Sequence, residues 1–143
     1  MTDKTSKPWM SIGETDDPKA KIESYLAAAD IGKGDPVFLS ADDQVSPAIA
    51  AQECIGIATK TVTAGNPTPI LIHGRVKIKA GAAITRGKAV YGADANKRLL
   101  MLTDQAVAEG GAANYTIYYN HKLGTALESA TAADDLIFIN AER

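Results

Sequence analysis

From Asp30 onward the chain never runs far without a turn-forming residue, and this punctuation constrains its fold more than any other feature. Gly32-Lys33-Gly34-Asp35, Asp42-Asp43, Gly65-Asn66-Pro67, Gly81, Asp94-Ala95-Asn96 and Gly110-Gly111 interrupt it at short intervals. Glycine reaches positive φ, proline fixes φ, and Asn and Asp bond their own backbone, so each cluster marks a turn. The runs between them are rich in β-branched residues. Candidate strands are 36–39, 44–47, 54–63, 69–79, 88–91, 98–102, 115–127 and 136–140. Many short strands at close spacing predict a mainly β fold, a compact barrel or sandwich.

The beginning of the chain differs. Residues 1–18 are polar and broken by Pro8, Gly13 and Pro18, with Trp9, Met10 and Ile12 as their large apolar groups. They read as an extended N-terminal arm without a core of its own. The rest, 19–143, reads as one β-rich domain. Asp17-Pro18 has the form of a helix start, Asp as N-cap and Pro at the first helical position. Ile22, Tyr25, Leu26 and Ala29 follow at helical spacing, which predicts a short helix over 18–29, with a strand as the alternative.

Two stretches recur. Ile31-Gly32-Lys33-Gly34-Asp35-Pro36-Val37-Phe38 matches Ile84-Thr85-Arg86-Gly87-Lys88-Ala89-Val90-Tyr91, 53 residues later. Ile55-Gly56-Ile57-Ala58 matches Leu123-Gly124-Thr125-Ala126 at an offset of 68 residues. Each is followed by an apolar run, Ile70-Leu71-Ile72 or Leu136-Ile137-Phe138-Ile139. The pattern predicts two pseudo-repeated β units, about 31–72 and 84–139. The larger offset places an insertion around 103–114, with room for a short helix and loop.

A search for chemistry finds no catalytic, cofactor-binding or metal-ligating set. His73 and His121 belong to no HxH, HExxH or HxxxH pattern. There is no G-x-S-x-G elbow, and Gly32-Lys33-Gly34-Asp35 lacks phosphate-loop spacing. The pairs Asp16-Asp17, Asp42-Asp43 and Asp134-Asp135 make no calcium loop and read as solvated turns. Cys54, the single cysteine, excludes an internal disulfide and reads as a buried small hydrophobe. A formal net charge of −2 with no basic block argues against nucleic acid as a partner. No apolar run is long enough for a membrane span, and MTDKTSKPWM lacks a signal peptide's apolar centre. These features predict synthesis in the cytoplasm and residence there or in a particle assembled there.

Two features concern binding. Trp9, beside Pro8 and Met10, either tucks back onto the domain or anchors the arm on a partner. The run from Pro69 to Lys79 alternates apolar with basic residues after Gly74, as a half-exposed strand whose lysines guard an edge would. With 25 alanines and 6% aromatics, the core has small side chains, so self-association or a partner is expected to add stability.

In order, Gly34-Asp35-Pro36-Val37, Asp42-Asp43, Ile55-Gly56-Ile57-Ala58, Ala64-Gly65, Ile70-Leu71-Ile72, Gly74-Arg75-Val76 and Ala80-Gly81 resemble a family of phage capsid cement, or decoration, proteins. A further Gly-x-x-Val follows at Gly87–Val90. The resemblance spans Ile31 to about Leu102, roughly half of the chain. It implies a compact β-domain that binds the outer surface of the expanded head, often as a homotrimer, and clamps the major capsid protein without a cofactor. It also implies an N-terminal arm that orders on the capsid, so Pro8, Trp9, Met10 and Ile12 become candidate capsid contacts.

Three other readings compete. A head-fibre base would share the virion location. A lipoyl- or biotinyl-type carrier would need a modified lysine at a hairpin tip, and neither Lys60 nor Lys97 has that context. A small β-barrel enzyme would need a polar pocket joining His73 or His121 to a carboxylate.

Overall fold

The computed structural model describes residues 3–50, 52–102 and 122–142. Among them no helix forms, and nine strands make one sheet. In chain order these are β1 Lys21–Ala27, β2 Pro36–Ala41, β3 Gln44–Pro47, β4 Cys54–Ala58, β5 Pro67–Lys79, β6 Ala89–Tyr91, β7 Leu100–Met101, β8 Lys122–Ala126 and β9 Leu136–Glu142.

The strands run β1-β3-β2-β4-β5-β9-β8-β6-β7, and a further β1–β5 pairing closes the first five into a barrel. Closure leaves no free edge along those strands. The barrel interior is the smaller core: Ala27, Ile31, Val37, Val45, Ala58, Val62 and Ile70. β5, thirteen residues long, then passes out of the barrel. Its N-terminal half pairs with β1 and β4, and its C-terminal half pairs with β9 from His73↔Glu142 to Lys79↔Leu136. β8, β6 and β7 continue from β9 around a second core that includes Leu71, Val76, Ile78, Val90, Leu123, Ile137 and Ile139. Each such side chain taken from water contributes about 1.5–3 kcal/mol.

The mainly β reading of the sequence therefore holds, and three details of it change. The segment expected as a helix over 18–29 is β1. Asp17 does accept a hydrogen bond from the Lys19 amide at 2.9 Å, as a cap would, but this only makes a turn. β1 lies between β5 and β3, and those ladders outweigh a weak local helical preference. Second, the division into two repeat units is not borne out: β5 is one unbroken strand serving both parts of a single sheet, so no boundary separates 31–72 from 84–139. What recurs is local. Ile31 and Val62 exchange two backbone hydrogen bonds, as do Ile84 and Ala130. Third, Lys77 on β5 is fully buried, so it guards no exposed edge. The insertion at 103–114, its short helix, the 115–121 part of one candidate strand, and His121 lie outside the described residues.

Candidate functional site

The N-terminal segment is not extended in the structure. Residues 3–14 run back along β9 and β5. Asp3 bridges Leu136 in parallel, and the Lys4 amide donates to the Leu136 carbonyl at 2.9 Å. Past His73, where β1 leaves, Gly13 and Glu14 take over the edge of β5. The Gly13 amide donates to the Lys77 carbonyl at 2.7 Å, and the Lys77 amide donates to the Glu14 carbonyl at 3.2 Å.

Lys77 itself points into this joint and is 0% exposed. Its ammonium donates to the Asp3 carboxylate at 2.6 Å and to the carbonyls of Lys7 and Met10, each at 2.8 Å. Three acceptors match its three protons, which is the condition for burying a cation. Phe138, its cross-strand partner on β9, lies with its ring centroid 5.7 Å from the ammonium. Farther along, Asp16 pairs with Lys7 and, at 2.9 Å, with Arg75. Glu14 pairs with Lys33 at 2.9 Å.

The four candidate contact residues separate on this scaffold. The Met10 amide donates to the Lys7 carbonyl at 3.1 Å, closing a turn with Pro8 and Trp9 at its tip. Trp9 is 76% exposed and Pro8 is exposed. Met10 is half-buried, and Ile12 lies over the backbone of Gly34, facing its own domain. Trp9 and Ile22 of β1 flank one shallow groove, with Glu14, Asp16 and Lys33 around it. Sequence reading missed Lys77. Its only signal was a basic residue among alternating apolar ones near the end of a long strand-like run.

The remaining chemistry-bearing residues do not converge. His73 is exposed on β5, and Cys54 is fully buried in the larger core. Among the described residues no group of three or more His, Cys, Asp and Glu side chains could hold a metal ion. No helix of the described residues is long and apolar enough to cross a membrane. Asp135, expected in a solvated turn, is 3% exposed instead. It accepts from the Thr131 amide and hydroxyl at 2.8 and 3.1 Å and from the Ala132 amide at 3.1 Å.

These environments predict the acid response. The Thr131 amide lowers the pKa of Asp135, and the Ala132 amide and Thr131 hydroxyl add to this against partial desolvation. For Asp94, burial alone would raise the pKa. The Arg98 side chain and the Arg98 and Asn96 amides outweigh it, and the net shift is downward. Burial likewise opposes, and the Lys77 ammonium with Thr5 overcomes, in Asp3. A carboxylate with a depressed folded-state pKa contributes stability above its unfolded pKa and loses it as pH falls through the folded value. Stability in urea is expected to be flat from neutral pH to about 5 and to fall steeply below about pH 4. Asp94→Asn should flatten that slope; an unchanged slope would show that Asp94 contributes no linkage.

The architecture is a closed β-barrel with a packed extension. A family model for phage cement proteins matches residues 17–141, and the chain belongs to that family. It is a virion structural protein. The match begins at Asp17, so the segment bearing Trp9 lies outside it. No curated protein matches the chain by sequence. Among solved structures, the N base of the head fibre protein gp8.5 of bacteriophage phi29 is similar in fold, with a TM-score of 0.57 and 16% identity. That similarity covers 86% of this chain and 94% of the phage protein's.

Proposed function

We propose that this protein binds the outer surface of the expanded phage head, contacts the major capsid protein, and stabilises the shell without catalysing a reaction. The observation that carries this reading is the cement-family match across the whole barrel and its extension. The protein is made in the host cytoplasm and acts as a homo-oligomer, with a trimer favoured. Cementing is a linkage effect: a protein that binds the expanded shell and not its separated parts stabilises the shell by its binding free energy. Many modest sites add, because each holds pieces that strain would part.

Within the N-terminal segment, Trp9 with Pro8 is the contact toward the capsid, Met10 supports the turn, and Ile12 seats it. A projecting indole is the kind of side chain that carries interface energy. Co-sedimentation with expanded and unexpanded heads tests this. Saturable binding to expanded heads is expected, weakened about thirtyfold by Trp9→Ala, the effect of losing about 2 kcal/mol at one strong contact. No binding to either form of head would overturn the reading.

The fold shared with the phi29 head fibre base supports a second reading, in which this domain seats a fibre. The two differ in consequence. A cement raises the temperature at which loaded heads open, whereas a fibre base binds and leaves that temperature unchanged.

A further inference from the structure

A fully buried cation is costly unless its partners are in place, and all three partners of the Lys77 ammonium come from residues 3–10. Two of them, the carbonyls of Lys7 and Met10, are the two ends of the turn that carries Trp9. One side chain on the central strand therefore grips both ends of that turn from beneath, while Asp3 closes the third side. The charges nearest the turn are already matched, Lys7 and Arg75 with Asp16, and Lys33 with Glu14. What the turn offers outward is the indole.

We propose that Lys77 is a latch that holds the N-terminal segment folded on its own domain, and that Trp9 is consequently a preformed, rigid knob. It fits an apolar pocket on the partner, in contrast to an arm that orders on contact. The role of the knob rests on the capsid-binding reading above; the latch does not. Lys77 is a positioning residue, acting through the turn. A segment held in one conformation before contact loses less entropy on binding than a free arm. If the latch opens, apparent affinity falls in proportion to the fraction of molecules still closed.

Hydrogen exchange of the free protein tests the latch without any capsid. In the wild-type chain the amides of Lys4 and Gly13, bonded to β9 and β5, should exchange slowly. Lys77→Met keeps the length of the side chain and removes the ammonium. It should speed exchange across residues 3–14 tenfold or more, with the amides of β2, β4 and β9 at their wild-type rates. Asp3→Asn, outside the core, should shift the same segment in the same direction by a smaller factor, and it decides the matter if Lys77→Met does not fold. Unchanged exchange in residues 3–14 would overturn the latch, because Ile12 packing and the Gly13 and Glu14 pairing would then suffice. An equal rise in every strand would also overturn it, reducing Lys77 to core packing. Co-sedimentation of Lys77→Met with expanded heads should show weaker binding than wild type. If exchange behaves as expected and wild-type protein ignores heads, the latch stands and the capsid reading falls.

Discussion

Gly124→Ala is expected to lower folding stability by about 3 kcal/mol or more, the upper end of what overpacking costs. Gly124 sits in β8, against β9. A Cβ placed on it would collide with the Asn140 carbonyl oxygen and lie 2.9 Å from the carbonyl carbon and 3.0 Å from the Ala141 Cα. All three are backbone atoms of a strand paired on both sides, so no rotamer change relieves the clash. The strands must separate, and the larger core then loses close packing. Gly56 in β4 meets the Leu71 carbonyl in the same way, and Gly56→Ala should cost a similar amount. Gly65→Ala is the control. Its φ is +88° and nothing lies within 4 Å of the added carbon, so only backbone strain remains, about 1 kcal/mol. Urea midpoints with a shared m-value check the set. A wild-type midpoint for Gly124→Ala would show that β8 and β9 can part cheaply.

Removing residues 1–13 is expected to cost about 3 kcal/mol, more than an appended arm would, because the Lys77 ammonium exchanges three charge-assisted hydrogen bonds for water. The cut also frees the edge of β5 at Lys77. The cost should depend on Lys77. In a Lys77→Met background the same truncation should cost far less, since the hydrogen bonds from the ammonium to the segment are already gone. The double-mutant cycle should therefore show a coupling of about 2 kcal/mol or more. Additive effects would mean that the segment and the lysine contribute independently, and the clamp geometry would carry no energy of its own.

These two effects differ in how far the sequence announces them. Gly56 and Gly124 stand at matching places in the two recurring stretches, and a glycine inside a strand signals close backbone approach. The strand list was legible for the same kind of reason. Candidate 44–47 coincides with β3, 36–39 with the start of β2, and 136–140 with most of β9. The candidate contact residues were legible only in part. Trp9 stood out by its size on a polar arm, whereas the opposite orientations of Trp9 and Ile12 depend on what lies beneath them. Asp135 looked like its neighbour Asp134, yet one is buried in a turn and the other pairs with Arg98 at 3.2 Å.

By itself the sequence determined the β class, the turn positions, most strand segments and the cement-family resemblance. The first three rest on chemistry within a few residues: glycine φ, proline rigidity, side chains bonding their own backbone, and alternation along a strand; the resemblance rests on the order of short motifs from Ile31 to about Leu102. Tertiary structure alone decided that Lys21–Ala27 is a strand, that β5 is central and shared, and that the N-terminal segment folds back over Lys77. These depend on partners far apart in the chain, such as Asp3 and Lys77, and local preference does not encode which distant backbone will satisfy a hydrogen bond or a buried charge.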